Sequence, residues 1–177
     1  MSTSKWVLDP AHSELYFKVK HLMITNVKGS FTSFSATIDG ENFEKSVITV
    51  TIESASISTN NKDRDAHLKS GDFFDTEKYP EIKFVSTSMD KEDDDEYVLN
   101  GNLTIKDVTK PVALKVEFGG TKKDPWGNEK IGFEVKGKFN RTDFGLSWNS
   151  ALEAGGVLVS EEVKLEAEVQ FVKQVSE

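Results

Sequence analysis

The sequence predicts an all-β fold, either a sandwich or a closed up-and-down barrel of about eight long antiparallel strands. Three observations predict it. Apolar and polar residues alternate with a period of two from one end of the 177-residue chain to the other. The chain holds 38 Val, Ile and Thr against 22 Ala, Leu and Met, a bias toward residues that suit a pleated, half-buried surface. Strand length favours the barrel. Eleven residues at about 3.3 Å each span roughly 36 Å, so a barrel that long encloses a tunnel rather than a shallow cup. A barrel of about eight strands is just wide enough to be filled by side chains or to hold one small ligand.

The strands follow in order. Lys5–Leu8 is a short extra strand. Leu15, Phe17, Val19 and His21 share one face, and Phe34, Ala36 and Ile38 share the next. Ile48, Val50 and Ile52 follow, then Ile82, Phe84, Ser86 and Ser88, then Leu99, Gly101, Leu103 and Ile105. Gly101 leaves a gap in that face. Val112, Leu114, Val116 and Phe118 continue the series. Ile131, Phe133, Val135, Gly137 and Phe139 come next, and Val163, Leu165, Ala167, Val169 and Phe171 close it. Asp39-Gly40, Gly119-Gly120 and Trp126-Gly127-Asn128 carry hairpin chemistry. The acidic run Asp90–Glu96 is a solvated hairpin tip, since a calcium loop would need a central Gly that it lacks. Asn60–Ser70 breaks the rhythm and reads as a short helix, capped by Asn60 or Asn61 and ended by Gly71. A second turn near His21–Asn26 and an irregular stretch over Asn140–Ser160 complete the chain, which reads as one domain.

Composition excludes several classes of chemistry. There is no Cys, so disulfides, thiolate metal sites and Cys nucleophiles are all ruled out. The net charge of −8 argues against nucleic acid or an anionic membrane surface as the main partner. No apolar run reaches the roughly 20 residues of a membrane span. The start of the chain lacks the apolar core of a signal peptide, so the expected location is cytoplasmic, or periplasmic if a leader has been removed. Three histidines, His12, His21 and His67, stand in separate segments without metal-ligand spacing. His12 reads as a hydrogen-bonded structural residue at a strand entry. His21 lies on the apolar parity of its strand. His67 shares the short helix with Arg64, either packed over a barrel end or forming a polar clamp at a tunnel mouth. Arg141 and Asp143 read as an ion pair or a loop brace.

Several stretches, taken in order, resemble one family. They are Trp6-x-Leu8-Asp9-Pro10-x-His12-Ser13, Phe17-x-Val19-x-His21 and Val27-x-Gly29-x-Phe31. Arg64-Asp65-x-His67-Leu68-x-Ser70-x-Asp72-Phe73-Phe74-Asp75 and Tyr79-Pro80 follow. Then come Gly101-x-Leu103-Thr104-Ile105-x-x-Val108-Thr109-Lys110-Pro111-Val112, Arg141-x-Asp143-Phe144-Gly145 and Val159-Ser160-x-Glu162-Val163. Together they resemble the YceI-like, polyisoprenoid-binding proteins over nearly the whole chain, from about Trp6 to Phe171. The resemblance implies an extended eight-stranded antiparallel up-and-down barrel, similar to the lipocalins, with one or two short helices. It also implies that a long isoprenoid or alkyl chain is bound in an apolar tunnel. It places no catalytic residue, no metal and no cofactor. A homodimer is the expected oligomer.

On that reading the ligand is lined by Phe17, Val19, Phe31, Phe34, Ile38, Ile48, Val50, Ile52, Phe73, Phe74, Phe84, Leu103, Ile105, Leu114, Phe133, Val135, Phe144 and Trp148. His21, Arg64, His67, Lys69 and Arg141 are the candidates for a polar or anionic head group. The leading reading is a carrier or store for an isoprenoid, quinone or related alkyl lipid. An enzyme on the same barrel, an isomerase or hydrolase, is the second. A module with a filled core is the third.

Overall fold

The computed structural model describes residues 3–22, 24–146 and 159–176. Its strands are β1 (Thr3–Leu8), β2 (Glu14–His21), β3 (Thr25–Phe31), β4 (Phe34–Asp39), β5 (Val47–Glu53) and β6 (Ile57–Ser58). After helix α1 (Lys62–Lys69) come β7 (Glu81–Lys91), β8 (Glu96–Ile105), β9 (Val108–Lys123), β10 (Glu129–Asn140) and β11 (Glu162–Ser176). Every pairing is antiparallel, and the order β1-β4-β5-β7-β8-β9-β10-β11 returns to β1, which closes an eight-stranded barrel. The barrel expected from the resemblance is therefore the observed fold.

The up-and-down order emerges once broken strands are joined. β1 and β2 lie end to end along one edge of β11, where Leu8 pairs with Phe171 and Leu15 with Ala167. β3 and β4 likewise run on from one another, interrupted at Thr32 and Ser33, and pair with β2 and β1 respectively. A 3-10 turn over Ser54–Ser56 separates β5 from β6. With these joined, each strand is paired with its neighbours in the chain, and the last is paired with the first.

The break between β1 and β2 is built by the Trp6–Ser13 motif. The Asp9 carboxylate accepts from the Ala11 N–H at 3.1 Å, and its other oxygen meets His12 Nδ1 and Lys130 Nζ, each at 2.8 Å. Ser13 Oγ donates to the Asp9 carbonyl at 2.7 Å and accepts from the Gln170 N–H at 3.0 Å. His12 is thus the structural residue that the sequence suggested.

Several turn and cap expectations change. Gly119-Gly120 lies inside β9 rather than in a hairpin. The register there passes from Gly132↔Gly120 to Phe133↔Phe118, so Gly119 is the extra residue of a bulge. Asp39-Gly40 opens a longer loop, because Phe43 must turn back into the barrel through a 3-10 turn. The helix starts after Asn61, whose side chain accepts from the Arg64 N–H. It ends at Ser70 rather than Gly71, with Ser70 N–H and Oγ both donating to the His67 carbonyl. β3 was not among the expected strands.

The lower end of the barrel, where β4 turns to β5, β7 to β8 and β9 to β10, is filled with aromatics. Phe43 has ring centroids of Phe133, Phe118 and Tyr97 at 5.0, 5.2 and 5.3 Å. Trp6, Ile131 and Phe171 belong to the same buried cluster. A second cluster, with Leu15, Phe31, Ile57, Phe73, Phe144 and Leu146, occupies the upper end.

Candidate ligand-binding cavity

Between the two clusters the interior is not filled. Phe34, Val50, Leu103, Val112, Val135 and Val169 pack against both clusters, yet each stays only half-buried. They sit on the inward parity of their strands, so the surface they keep faces the inside of the barrel. That surface bounds a cavity of about 530 Å³. Its volume falls within the range of about 300–1,000 Å³ that small-molecule sites occupy.

Many of the residues expected around a ligand line the cavity wall. Phe17, Val19, Phe31, Phe34, Ile38, Ile48, Val50 and Ile52 line it, as do Phe73, Phe74, Phe84, Leu103, Ile105, Leu114, Phe133 and Val135. Phe144 does not. It is 2% exposed and packs edge-on behind Phe139 at 5.4 Å, so Phe139 takes the place on the wall. Trp148 lies outside the described residues. Val112, Leu165, Val169 and Leu146 also line the cavity. The same period-2 parity that marks Leu114 and Val135 marks the first three of these.

Three inward glycines shape this wall by close approach. A Cβ on Gly29 would overlap the Phe17 ring, one on Gly137 would overlap Leu114, and one on Gly101 would fall 2.5 Å from Phe84 Cζ. The gap that Gly101 leaves is therefore occupied by the ring of Phe84 from the adjacent strand. Each large side chain lies along the wall over a glycine instead of crossing the interior.

Polar groups collect at the upper end. His21, Thr59, Asp63, Arg64, His67 and Lys138 all line the cavity there. Arg64 is anchored locally, its Nε donating to Thr59 Oγ1 and its Nη2 to the Thr59 carbonyl, both at 2.7 Å. Thr59 in turn donates to Asp65 through its N–H at 2.9 Å and its hydroxyl at 2.6 Å. His67 Nε2 meets Asp72 Oδ2 at 2.9 Å, and its ring stands edge-on to Phe73. Lys69 is not on the wall, because it follows His67 and Leu68 around the helix. Lys138, which the sequence reading passed over, is.

Arg141 also lines the cavity, where it braces a loop. It is 3% exposed, and its guanidinium donates to the carbonyls of Ser160, Leu146 and Val159 while lying over the Phe73 ring. Burial pushes its pKa down, opposed by Glu161. The planar fork thus ties together the two ends of the connection between β10 and β11, which is the loop brace expected from sequence.

The cavity is thus apolar along its length, blocked by aromatics at the lower end and edged with polar groups at the upper end. Such a shape takes an elongated apolar body and leaves a polar group at the mouth. Among the described residues, no helix is long and apolar enough to cross a membrane.

Comparison with known proteins gives a consistent result. Residues 6–171 match the family described as the YceI-like domain. A UPF0312 protein of Staphylococcus aureus (strain MSSA476) is 42% identical over 171 residues, covering 95% of this chain and 97% of the relative. Among solved structures, the Campylobacter jejuni YCEI protein is 39% identical, with a TM-score of 0.74, covering 88% of this chain and 90% of that one. A polyisoprenoid-binding domain from Saccharophagus degradans shares the fold at 15% identity and a TM-score of 0.70, covering 94% of this chain and 97% of that domain.

Proposed function

The chain belongs to the YceI-like family, and on that basis we propose that it holds a long-chain isoprenoid, quinone or related alkyl lipid as a carrier or store. The observation that carries the proposal is the band of inward apolar side chains that stay half-exposed to a cavity of about 530 Å³. An apolar tail placed there gains about 0.8 kcal/mol per buried CH₂, and needs no specific hydrogen bond to do so. The polyisoprenoid binding of the Saccharophagus degradans domain supports the choice of ligand class.

The asymmetry of the cavity supports a direction of entry. The tail points toward the Phe43 cluster, and the head stays near His21, Arg64, His67 and Lys138. The blocked lower end then limits tail length. Solvent extraction of the purified protein followed by mass spectrometry tests the proposal. A copurifying prenyl or alkyl lipid in near-stoichiometric amount is the expected result. An empty protein that also fails to take up a long-chain prenol from solution would refute it.

A further inference from the structure

The net charge of −8 is not spread evenly over the barrel. Across four adjacent strands the register stacks like charges, with Lys138 at the rim, where it also lines the cavity. Lys138 is paired with Lys164, Lys164 with Lys18, and Lys18 with Lys28. Four residues farther from the mouth along these strands, Glu134 is paired with Glu168 and Glu168 with Glu14. Like charges placed directly opposite each other destabilise a sheet; the glutamate row is partly offset by Lys136 at 3.8 Å from Glu134 and by the Tyr16 hydroxyl on Glu14. The lysine row is only partly offset, by Glu166 at 3.6 Å from Lys18 Nζ and by the Tyr16 ring beneath Lys28. Above it, Glu162 is the acid on these strands and Lys20 a further cation. The acidic tip around Glu92–Asp95 lies at the opposite end of the barrel.

The hairpin that continues β2 into β3 rises above this lysine row. Its turn carries Leu22 and Ile24, where short hairpins normally carry Asn, Asp or Gly. Leu22 adopts a φ of +55°, a conformation that a large side chain rarely takes. Leu22 is 40% exposed and Ile24 78% exposed. His21, Val19 and Val27 of the same hairpin line the cavity. Exposed apolar groups, cavity-lining residues of the hairpin and a band of cations therefore adjoin one another at the upper end of the barrel.

We propose that this hairpin tip and the lysine row dock the upper end of the barrel onto an anionic lipid bilayer. Leu22 and Ile24 enter the headgroup region, as apolar side chains of interfacial segments do. Lys18, Lys28 and Lys164 face the lipid phosphates, while the row of Glu14, Glu134 and Glu168 and the acidic tip point away; Asp63 and Glu162 are the opposing acids left at this end. An apolar tail can then pass along Val19 and Val27 into the cavity without crossing water. The proposal rests on the lipid-holding reading only for its purpose, because docking itself needs no ligand in the barrel.

Co-flotation of the full chain with mixed phosphatidylglycerol–phosphatidylcholine vesicles, and with phosphatidylcholine alone, tests it. The protein is expected to float with the anionic vesicles and to be released as salt rises. Leu22→Asn with Ile24→Thr should lower the bound fraction about tenfold. Asn accepts the left-handed conformation better than Leu, so this variant should fold at least as well as the parent. Lys18→Gln, Lys28→Gln and Lys164→Gln together should remove both the preference for anionic vesicles and the salt dependence. Absence of wild-type flotation would overturn the proposal, as would flotation unchanged by both variants. A wild-type dimer that the tip variant converts to monomer, without any vesicle binding, would assign the tip to a second copy of the chain instead. Lipid extraction is read separately: a filled barrel without flotation sinks docking alone, and flotation of a protein that is empty and takes up no long-chain prenol sinks the ligand reading.

Discussion

Asp9 and Lys130 meet at 2.8 Å across 121 positions of sequence, and together they hold the corner where the first strand of the barrel breaks. The Lys130 and His12 hydrogen bonds pull the Asp9 pKa from 3.8 to about 2. Its folded pKa is depressed, so its contribution is complete above the unfolded value and is lost as pH falls toward the folded one. Acid unfolding should therefore show about 1–2 kcal/mol of Asp9-dependent stability that fades between about pH 4 and pH 2. Asp9→Asn should flatten that part of the curve. Denaturant midpoints measured across this range check it, and parallel curves for the two proteins would assign the acid loss to other carboxylates.

Gly101→Ala would set a Cβ 2.6 Å from the Val85 carbonyl oxygen as well as against the Phe84 ring. The ring can swing into the cavity but the carbonyl cannot move freely. A loss of about 1–3 kcal/mol in urea unfolding is expected, together with weaker binding of a long-chain prenol. Gly71→Ala, with nothing within 4 Å, serves as the control and should stay within about 0.5 kcal/mol.

Leu103→Trp distinguishes a cavity from a filled core at one position. Leu103 lines the cavity and is half-buried, so the indole has room. Stability of the ligand-free protein should change by less than about 1 kcal/mol, while titration with a long-chain prenol shows reduced uptake. A loss of about 1–3 kcal/mol would instead mean overpacking.

Arg141→Met removes the donor group shared by the carbonyls of Ser160, Leu146 and Val159. Leaving buried acceptors unpaired costs about 1–3 kcal/mol each where water cannot replace the donor. A fall of about 2–4 kcal/mol is expected in thermal or denaturant unfolding. Arg141→Lys should recover only part of it, because an ammonium cannot reproduce the fork.

The strands were legible wherever the inward face is a run of apolar residues. Parity put Phe84, Leu103, Leu114 and Val135 on the apolar faces of their strands, and the family resemblance made those faces a tunnel wall. β3 was less visible because Gly29 stands between Val27 and Phe31 on its inward face, with polar residues on either side. Its alternation exists, but a glycine in mid-strand lowers the signal. Phe43 gave no signal at all: one aromatic in a polar loop becomes the blocked end of the cavity only through rings contributed by three distant strands. Phe144 was misplaced because a motif reveals that a residue matters without revealing which side of the wall it occupies. The charge rows needed the register, since Lys18, Lys28, Lys138 and Lys164 are unremarkable until the strands are aligned.

The pairing of β1 with β11 joins residues from opposite ends of the chain, Thr3 with Ser176 and Leu8 with Phe171. During synthesis, then, the first strand waits for the last. Until β11 leaves the ribosome, the nascent sheet has two open edges, and Trp6 lacks the neighbouring strand that helps bury it. Long-range closure of this kind slows folding and leaves unpaired edges available to other chains meanwhile. Deletions in β11 should therefore show first as aggregation during expression, before any effect on the mature protein can be measured.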